Sequence, residues 1–398
     1  MRLRARARAL PAVITVVGAV VAGLAIAGCT ASSPPAAALS PAASASSGAA
    51  GPAGPLAAVD GAAPWDFVTL VDAAPSRLPE SPAAGLYLAN AATGTVGRRL
   101  TPATYDGMRA VGAAVSREGD VWVTYSKGPA TVPDGFGPSI FSPDTCGNEV
   151  VEWDLQGGTP RATVYQRSGD NVLLGQAVPS PDGQMLAYTE HPCNINGTGV
   201  YLRVTDVSSR RSWTIGQVLP GCHILTTPVW SAGGTQLLEG YASANLPCNA
   251  GADFCTGPQT ERLLRLNALA PQSGAAGQIT SPDGNCQVNS VAGLAGGDTL
   301  VLEFCGRAQN AALDFGALLV VGPDGKHQQT IRLGRCSEAG QLAGDSSGGS
   351  VLVTGATDCD PASARATVTS DLWDYSGGRL RLVAATPQSG REFSTIAW

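Results

Sequence analysis

Histidine is scarce in this chain of 398 residues, which has three: His191, His223 and His327. A hydrolytic site needs a nucleophile, a base and an orienting acid within hydrogen-bond reach, and so few imidazoles leave little to build one from. His191 and His223 flank Cys193 and Cys222, and His327 falls in a hairpin turn. No GxSxG elbow occurs, nor a strand-to-helix context to carry one. CxxC pairs and zinc-type spacing with paired histidines are missing too. No Walker loop sits between a strand and a helix, and no basic stripe marks a nucleic-acid surface. Aromatics make up 6% of the chain and charged residues 14%, so rings to stack sugars are few. Helical periodicity is nearly absent: no stretch keeps apolar residues at i, i+3, i+4 and i+7 over three turns. These absences predict an all-β protein with no catalytic residue, metal or cofactor.

The front end is rich in information. "MRLRARARAL" carries four arginines and no acid, and "PAVITVVGAVVAGLAIAGC" follows as one apolar run ending in small residues. That is the order of a secretory signal: a basic n-region, an apolar h-region and a cleavage site. The run is at the short end for a span of about 20 residues, against an uncleaved membrane anchor. "IAGC", Ile26 to Cys29, resembles the bacterial lipobox, which implies that Cys29 is acylated and becomes the first mature residue. Two acyl chains give lasting attachment, at about 0.8 kcal/mol per buried methylene. The expected location is the outer face of the cell membrane.

Without residues 1–28 the chain keeps 21 Lys and Arg against 31 acids, a formal charge of −10. Such a surface repels nucleic acid. Residues 29–63, with their Ala, Pro, Ser and Gly, cannot bury enough apolar surface to offset chain entropy, so a disordered linker is expected. Its reach is about 30 Å. The Ala, Gly and Pro richness, with the lipobox, is what a high-GC genome such as an actinobacterium's gives.

From 64 to 398 short β-rich runs alternate with Gly, Pro, Asp and Ser. "AVGAAVSREGDVWVTYS", "LGQAVPSPDGQMLAYTE", "LTTPVWSAGGTQLLEGY", "VNSVAGLAGGDTLVLEF" and "AGQLAGDSSGGSVLVTG" all read strand, tight turn, strand. They recur every 50–60 residues or so, the mark of a repeat array. Each is followed by a second hairpin, as in "VYLRVTDVSSRRSWTI", and four strands per repeat make a propeller blade. "SGREFSTIAW" supplies the first strand of a blade and "WDFVTLVD" opens a blade lacking one. Joining the two ends closes a six-bladed β-propeller; seven blades stay open if the region from Pro64 to Thr101 holds another hairpin. In "SPDG", Pro181 fixes φ, Asp182 bonds the backbone ahead and Gly183 takes the positive φ. With the "LYL...TG...RRLT" hairpin, this phrase resembles the TolB-type, or WD40-like, propeller over about residues 64 to 398. That resemblance implies protein–protein contacts. It does not imply a place in the Tol system, since no TolB-like amino-terminal domain is recognisable.

Nine cysteines besides Cys29 in an exported domain point to disulfides. Cys222, Cys286 and Cys336 each precede an innermost strand, and Cys248, Cys305 and Cys359 lie at or after the end of a second strand, on the same face of a propeller. The expected pairs are Cys286 with Cys305, Cys336 with Cys359, and Cys222 with Cys248. Cys146 and Cys193 occupy matching loops of neighbouring blades and are candidates to bridge them. Cys255 is left over, unless it pairs with Cys248 and frees Cys222.

Carboxylates are scattered, among them Asp144, Glu149, Glu152, Asp154, Asp358 and Asp360. Glu190, Glu239 and Glu303 fall near the ends of equivalent second strands and are expected on a solvated acidic rim. Trp122, Trp153, Trp213, Trp230, Trp373 and Trp398 lie in strands, and Trp65 begins one; packing between blades is the expected role of most, with lining of a ligand pocket the alternative for one of them. The functional expectation is a non-enzymatic binding or scaffolding module of the cell envelope. It would recognise a protein or wall polymer through loops around Gly128 to Gly147, Ala242 to Gln259 and Asp358 to Ala366. The alternative is an envelope hydrolase or lyase with carboxylates at the channel mouth, and a weaker third reading is a small-molecule carrier.

Overall fold

The computed structural model describes residues 67–398 apart from 73–84, 116–119, 128–146, 155–158, 169–171, 193–200, 216–221, 245–258, 268–269, 280–285, 306–314, 334–336, 346, 358–368 and 388–391. The signal, Cys29 and the linker lie outside the described residues. Among the described residues no helix is long and apolar enough to cross a membrane.

Among the described residues the strands form six antiparallel sheets. Sheet one joins the two ends of the chain: Glu392–Ala397 is its inner strand, followed by Phe67–Asp72, Gly85–Ala89 and Val96–Pro102. Sheet two runs from Met108–Val115 through Val121–Lys127 and Gly147–Trp153 to Pro160–Ser168, with Thr104–Tyr105 paired inside it. In sheet three Val172–Leu174 and Val178–Pro179 share the inner position beside Met185–Pro192, then Tyr201–Asp206 and Ser212–Ile215. Sheet four repeats that break, with Cys222–Leu225 and Val229–Trp230 beside Gln236–Ala244, then Gln259–Asn267 and Ala270–Ile279. Sheet five is Cys286–Gly293, Thr299–Cys305, Phe315–Val321 and His327–Arg332; sheet six is Ser337–Gly344, Ser350–Thr357, Thr369–Ser376 and Arg379–Pro387.

Each sheet packs against the next and the sixth packs against the first, so the arrangement is a closed β-propeller. Six apolar clusters, one per junction, hold it. Strand alternation explains how one strand serves two junctions. Leu237 points into the cluster shared with sheet three, while its neighbour Leu238 points into the cluster shared with sheet five. Both are essentially fully buried, and each such side chain contributes about 1.5–3 kcal/mol.

The "SPDG" turn is built as its residues suggest. Gly183 has φ +68° and donates its N–H to Ser180 O at 2.8 Å. Asp182 Oδ1 accepts from the Gln184 N–H at 3.1 Å and from Ser180 Oγ at 2.5 Å. The Ser180 hydroxyl holds the Asp182 carboxyl below the usual aspartate range. Sheet four repeats the turn at "SAGG", where Gly234 has φ +66° and Ser231 Oγ accepts from the Gln236 N–H at 3.1 Å.

One further repeat is invisible in the sequence. In all six sheets the inner strand carries one residue more than its partner, a β-bulge at the same place in each. A bulge takes amides out of the ladder and re-aims a side chain. The freed N–H groups find acceptors on the preceding sheet. Ala177 N–H donates to Thr124 Oγ1 at 2.9 Å, Leu342 N–H to Ser290 Oγ at 3.0 Å, and Ile396 N–H to Gln341 Oε1 at 3.0 Å.

Candidate functional site: a cup on the propeller axis

The bulges of sheets three and six carry Gln176 and Gln341. These sheets lie opposite each other in the ring, and the two side chains meet across the axis. Gln341 Nε2 donates to Gln176 Oε1 at 2.8 Å. Each is tied to the wall as well: Gln176 Nε2 donates to Ala113 O at 2.6 Å, and Gln341 Oε1 accepts from Ile396. Gly112 makes room for this bar, because a Cβ there would stand 2.5 Å from Gln176 Cβ.

Above the bar lies a cavity of about 810 Å³, lined by inner-strand residues of all six sheets and by the turns that follow them. The glutamine pair is its floor. Trp230 and Trp398 stand in its wall, with small residues such as Ala114, Ala292 and Gly344 between them. Trp230 Nε1 is committed to Val178 O at 3.2 Å. The polar lining is Gln176, Gln341, Ser180, Ser231, Ser347 and Asp345. Asp345 Oδ1 accepts from the Gly349 N–H at 2.9 Å and from Ser347 Oγ at 3.0 Å. The described lining holds no His, Cys, Lys, Arg or Tyr side chain and one carboxylate side chain.

The cup opens where the inner strands end and turn. The connections between second and third strands, which include the three long loops singled out in the sequence, leave from the opposite end of the strands. Gly147, Ala242–Ala244 and Gln259 are strand residues; the rest of those loops lies outside the described residues.

The three glutamates correct an expectation. Glu190, Glu239 and Glu303 are 2%, 1% and 0% exposed, so they form no solvated rim, and none lines the cup. Their strands are interior strands with a sheet packed on each face, so even polar positions are covered. Glu190 is neutralised by Arg203, whose Nε lies 2.7 Å from its Oε2. Glu239 sits mid-strand with both carboxyl oxygens lacking a hydrogen-bond partner, and burial pushes its pKa well above the usual glutamate range. Glu149 is also buried and accepts from Thr163 Oγ1. Glu152 and Asp154 pair on the surface with Arg161, at 3.7 and 3.5 Å.

Cys286 and Cys305 stand opposite each other in register and are disulfide-bonded. Glu303 lies beside them, with its carboxylate and the two sulfurs within 4.8 Å of one another. Sulfurs bonded to each other are not thiolate ligands, so this cluster holds no metal while oxidised. Cys222 opens its strand in register with Ala244; Cys146, Cys193, Cys248, Cys255, Cys336 and Cys359 lie outside the described residues, as do Trp65, Asp144, Asp358 and Asp360. His191 and His223 pair along strands with Leu173 and Ser243. His327 is exposed and bonded to Thr330 Oγ1 at 2.8 Å. Of the tryptophans, Trp122, Trp153 and Trp373 pack between sheets as expected, whereas Trp230 and Trp398 also reach the cup.

The sequence reading missed Gln176 and Gln341. A signal existed: "GQA" from Gly175 and "GQL" from Gly340 place Gly-Gln at the same point of two repeats.

No family model and no curated protein sequence matches this chain. Among solved structures it is similar to the β-propeller domain of the Trilobed protease from Pyrococcus furiosus, at 12% identity over 70% of this chain and 72% of that one, TM-score 0.40. An oligogalacturonate lyase from Vibrio parahaemolyticus matches at 11% identity over 68% of each chain, TM-score 0.39. A functionally unknown protein from Desulfotomaculum acetoxidans matches at 12% identity over 83% of this chain and 84% of that one, TM-score 0.43. At such identities and scores these likenesses carry no argument about activity, and the β-propeller assignment rests on the sheets of this chain itself.

Proposed function

We propose that the six sheets are the blades of a non-enzymatic binding module of the cell envelope, anchored outside the membrane through a lipid on Cys29, and that its ligand enters the axial cup. The observation that carries this reading is the floor. A channel crossed by the bonded pair Gln176 and Gln341 leaves a concave, preformed chamber above it, which is what small ligands and chain ends require. Its lining supports binding rather than turnover. Glycoside hydrolysis takes two carboxylates flanking the scissile bond, and the described lining supplies Asp345 alone. Serines line the cup without a histidine to activate them.

Gly233 provides the test. It lines the cup, its φ lies outside the left-handed range, and a Cβ there meets nothing within 4 Å. Gly233→Trp is designed to place a ring at the cup from a position where the Cβ meets nothing, while Gln329→Trp adds the same ring to an exposed position of an outer strand. Crosslinking in living cells followed by affinity capture should lose the bound component in Gly233→Trp and keep it in Gln329→Trp. A Cys29→Ala chain should lose it through loss of the anchor. Capture unchanged by Gly233→Trp contradicts the cup as the site.

A further inference from the structure

We propose that the cup takes the end of an uncharged, hydroxyl-rich chain, a neutral oligosaccharide terminus of one to three sugar rings. This rests on the reading of the cup as the binding site and adds the class of ligand.

The floor sets the polar requirement. A primary amide carries two N–H donors and two acceptor lone pairs. Gln341 spends one N–H on Gln176 and one lone pair on Ile396; Gln176 spends one N–H on Ala113 and one lone pair on Gln341. Each amide keeps one donor and one acceptor. Two donors and two acceptors side by side match hydroxyl groups, which both give and take hydrogen bonds, better than groups that do only one.

The walls set the apolar requirement. Trp230 and Trp398, separated by aliphatic and small residues, offer indole surface to the C–H faces of a ring. Trp230 has its N–H bonded to the wall, which fixes the indole.

Charge disfavours the alternatives. The described lining has no cation, so a uronate, phosphate or sulfate would be desolvated without a counter-ion. An ammonium would find one side-chain carboxylate, Asp345, whose oxygens already accept from Ser347 and, at Oδ1, from Gly349. The glutamine pair crosses the axis, so a chain that enters from the cup meets the amides with its end. The volume of about 810 Å³ falls within the roughly 300–1,000 Å³ of small-ligand sites.

Calorimetry on the full chain tests this with probes of one size and three charges. Maltotriose, cellotriose and N,N′,N″-triacetylchitotriose are neutral; trigalacturonate is anionic and the glucosamine trimer cationic. At least one neutral trimer should bind ten-fold or more tighter than both charged ones. Its longer homologues should bind no more than two- to three-fold tighter, because only the end is held. Gly233→Trp should abolish binding, Gln329→Trp should leave it unchanged, and Gln176→Ala should weaken it about ten-fold. A charged trimer that binds in place of the neutral ones, and is lost in Gly233→Trp, overturns the ligand class while leaving the cup as the site. Absence of any trimer binding overturns the inference, and cell capture with Gly233→Trp then decides separately whether the cup itself stands. Neutral-trimer binding that survives Gly233→Trp overturns both.

Discussion

Gln176 and Gln341, 165 residues apart in the chain, are joined by a 2.8 Å hydrogen bond across the propeller axis. The bond ties together opposite sides of the ring, and through Ile396 it also reaches the strand that closes the chain ends. Gln341→Ala removes the acceptor of the Ile396 N–H as well as the donor to Gln176. Leaving a backbone amide unsatisfied costs about 1–3 kcal/mol. Gln176→Ala strands no backbone N–H, removing only the donor to Ala113 O and the acceptor of Gln341 Nε2, and should cost less. The double-mutant cycle, measured by urea unfolding, should return a coupling of about 0.5–1.5 kcal/mol; zero coupling would mean that the bar does not form in solution.

Gly112→Ala probes the same floor from the wall. The added Cβ meets Gln176 Cβ at 2.5 Å and its Cα at 2.9 Å, so the side chain cannot simply swing away. A loss of about 1–3 kcal/mol is expected from such overpacking. The loss should persist in a Gln176→Ala background, because alanine keeps both of the atoms that the new methyl group meets. Relief there would assign the clash to the flexible end of the side chain.

Glu239 gives stability a dependence on pH. Its pKa in the folded protein is raised by burial, so between the unfolded pKa and the folded one the folded chain keeps the proton that the unfolded chain loses. No penalty exists below the unfolded pKa of about 4.3. As pH rises from there toward the folded value, the unfolded state loses its proton first and stability falls. Glu239→Leu removes both unpartnered oxygens and should stabilise by about 1–3 kcal/mol at pH 8. At pH 4 the gain should shrink. Urea melts at the two pH values read the difference, and an equal gain at both would show that Glu239 is not held protonated.

The Cys286–Cys305 bridge closes a segment with a sequence separation of 19 residues. Chain-entropy arguments give about 3 kcal/mol for a loop of that length. The double Cys→Ser variant should therefore unfold at lower urea by that amount, with the axial cup and its ligand binding unchanged, since neither cysteine lines it. A loss of binding in the folded variant would tie the bridge to the site.

How much of this was legible follows from distance along the chain. The turns were, because Ser180, Asp182 and Gly183 act on neighbours within five residues. The closing strand was, because "EFSTIA" began a blade with nothing after it and the blade opened by "FVTLVD" had no first strand before it. Burial of Glu239 was not. It was placed near a strand end, but its strand runs from Gln236 to Ala244, and the sheets covering it come from other repeats. The cup was hidden for the same reason: Gln176 and Gln341 look like surface amides until the ring sets their sheets face to face.

The most direct test of the cup as the binding site is a photoreactive phenylalanine analogue at Gly233, activated in living cells, with the same residue at Gln329 as reference. The account predicts a covalent adduct at Gly233 that mass spectrometry identifies on the bound component, and none at Gln329. Equal labelling at both positions, or labelling at Gln329 alone, would contradict it.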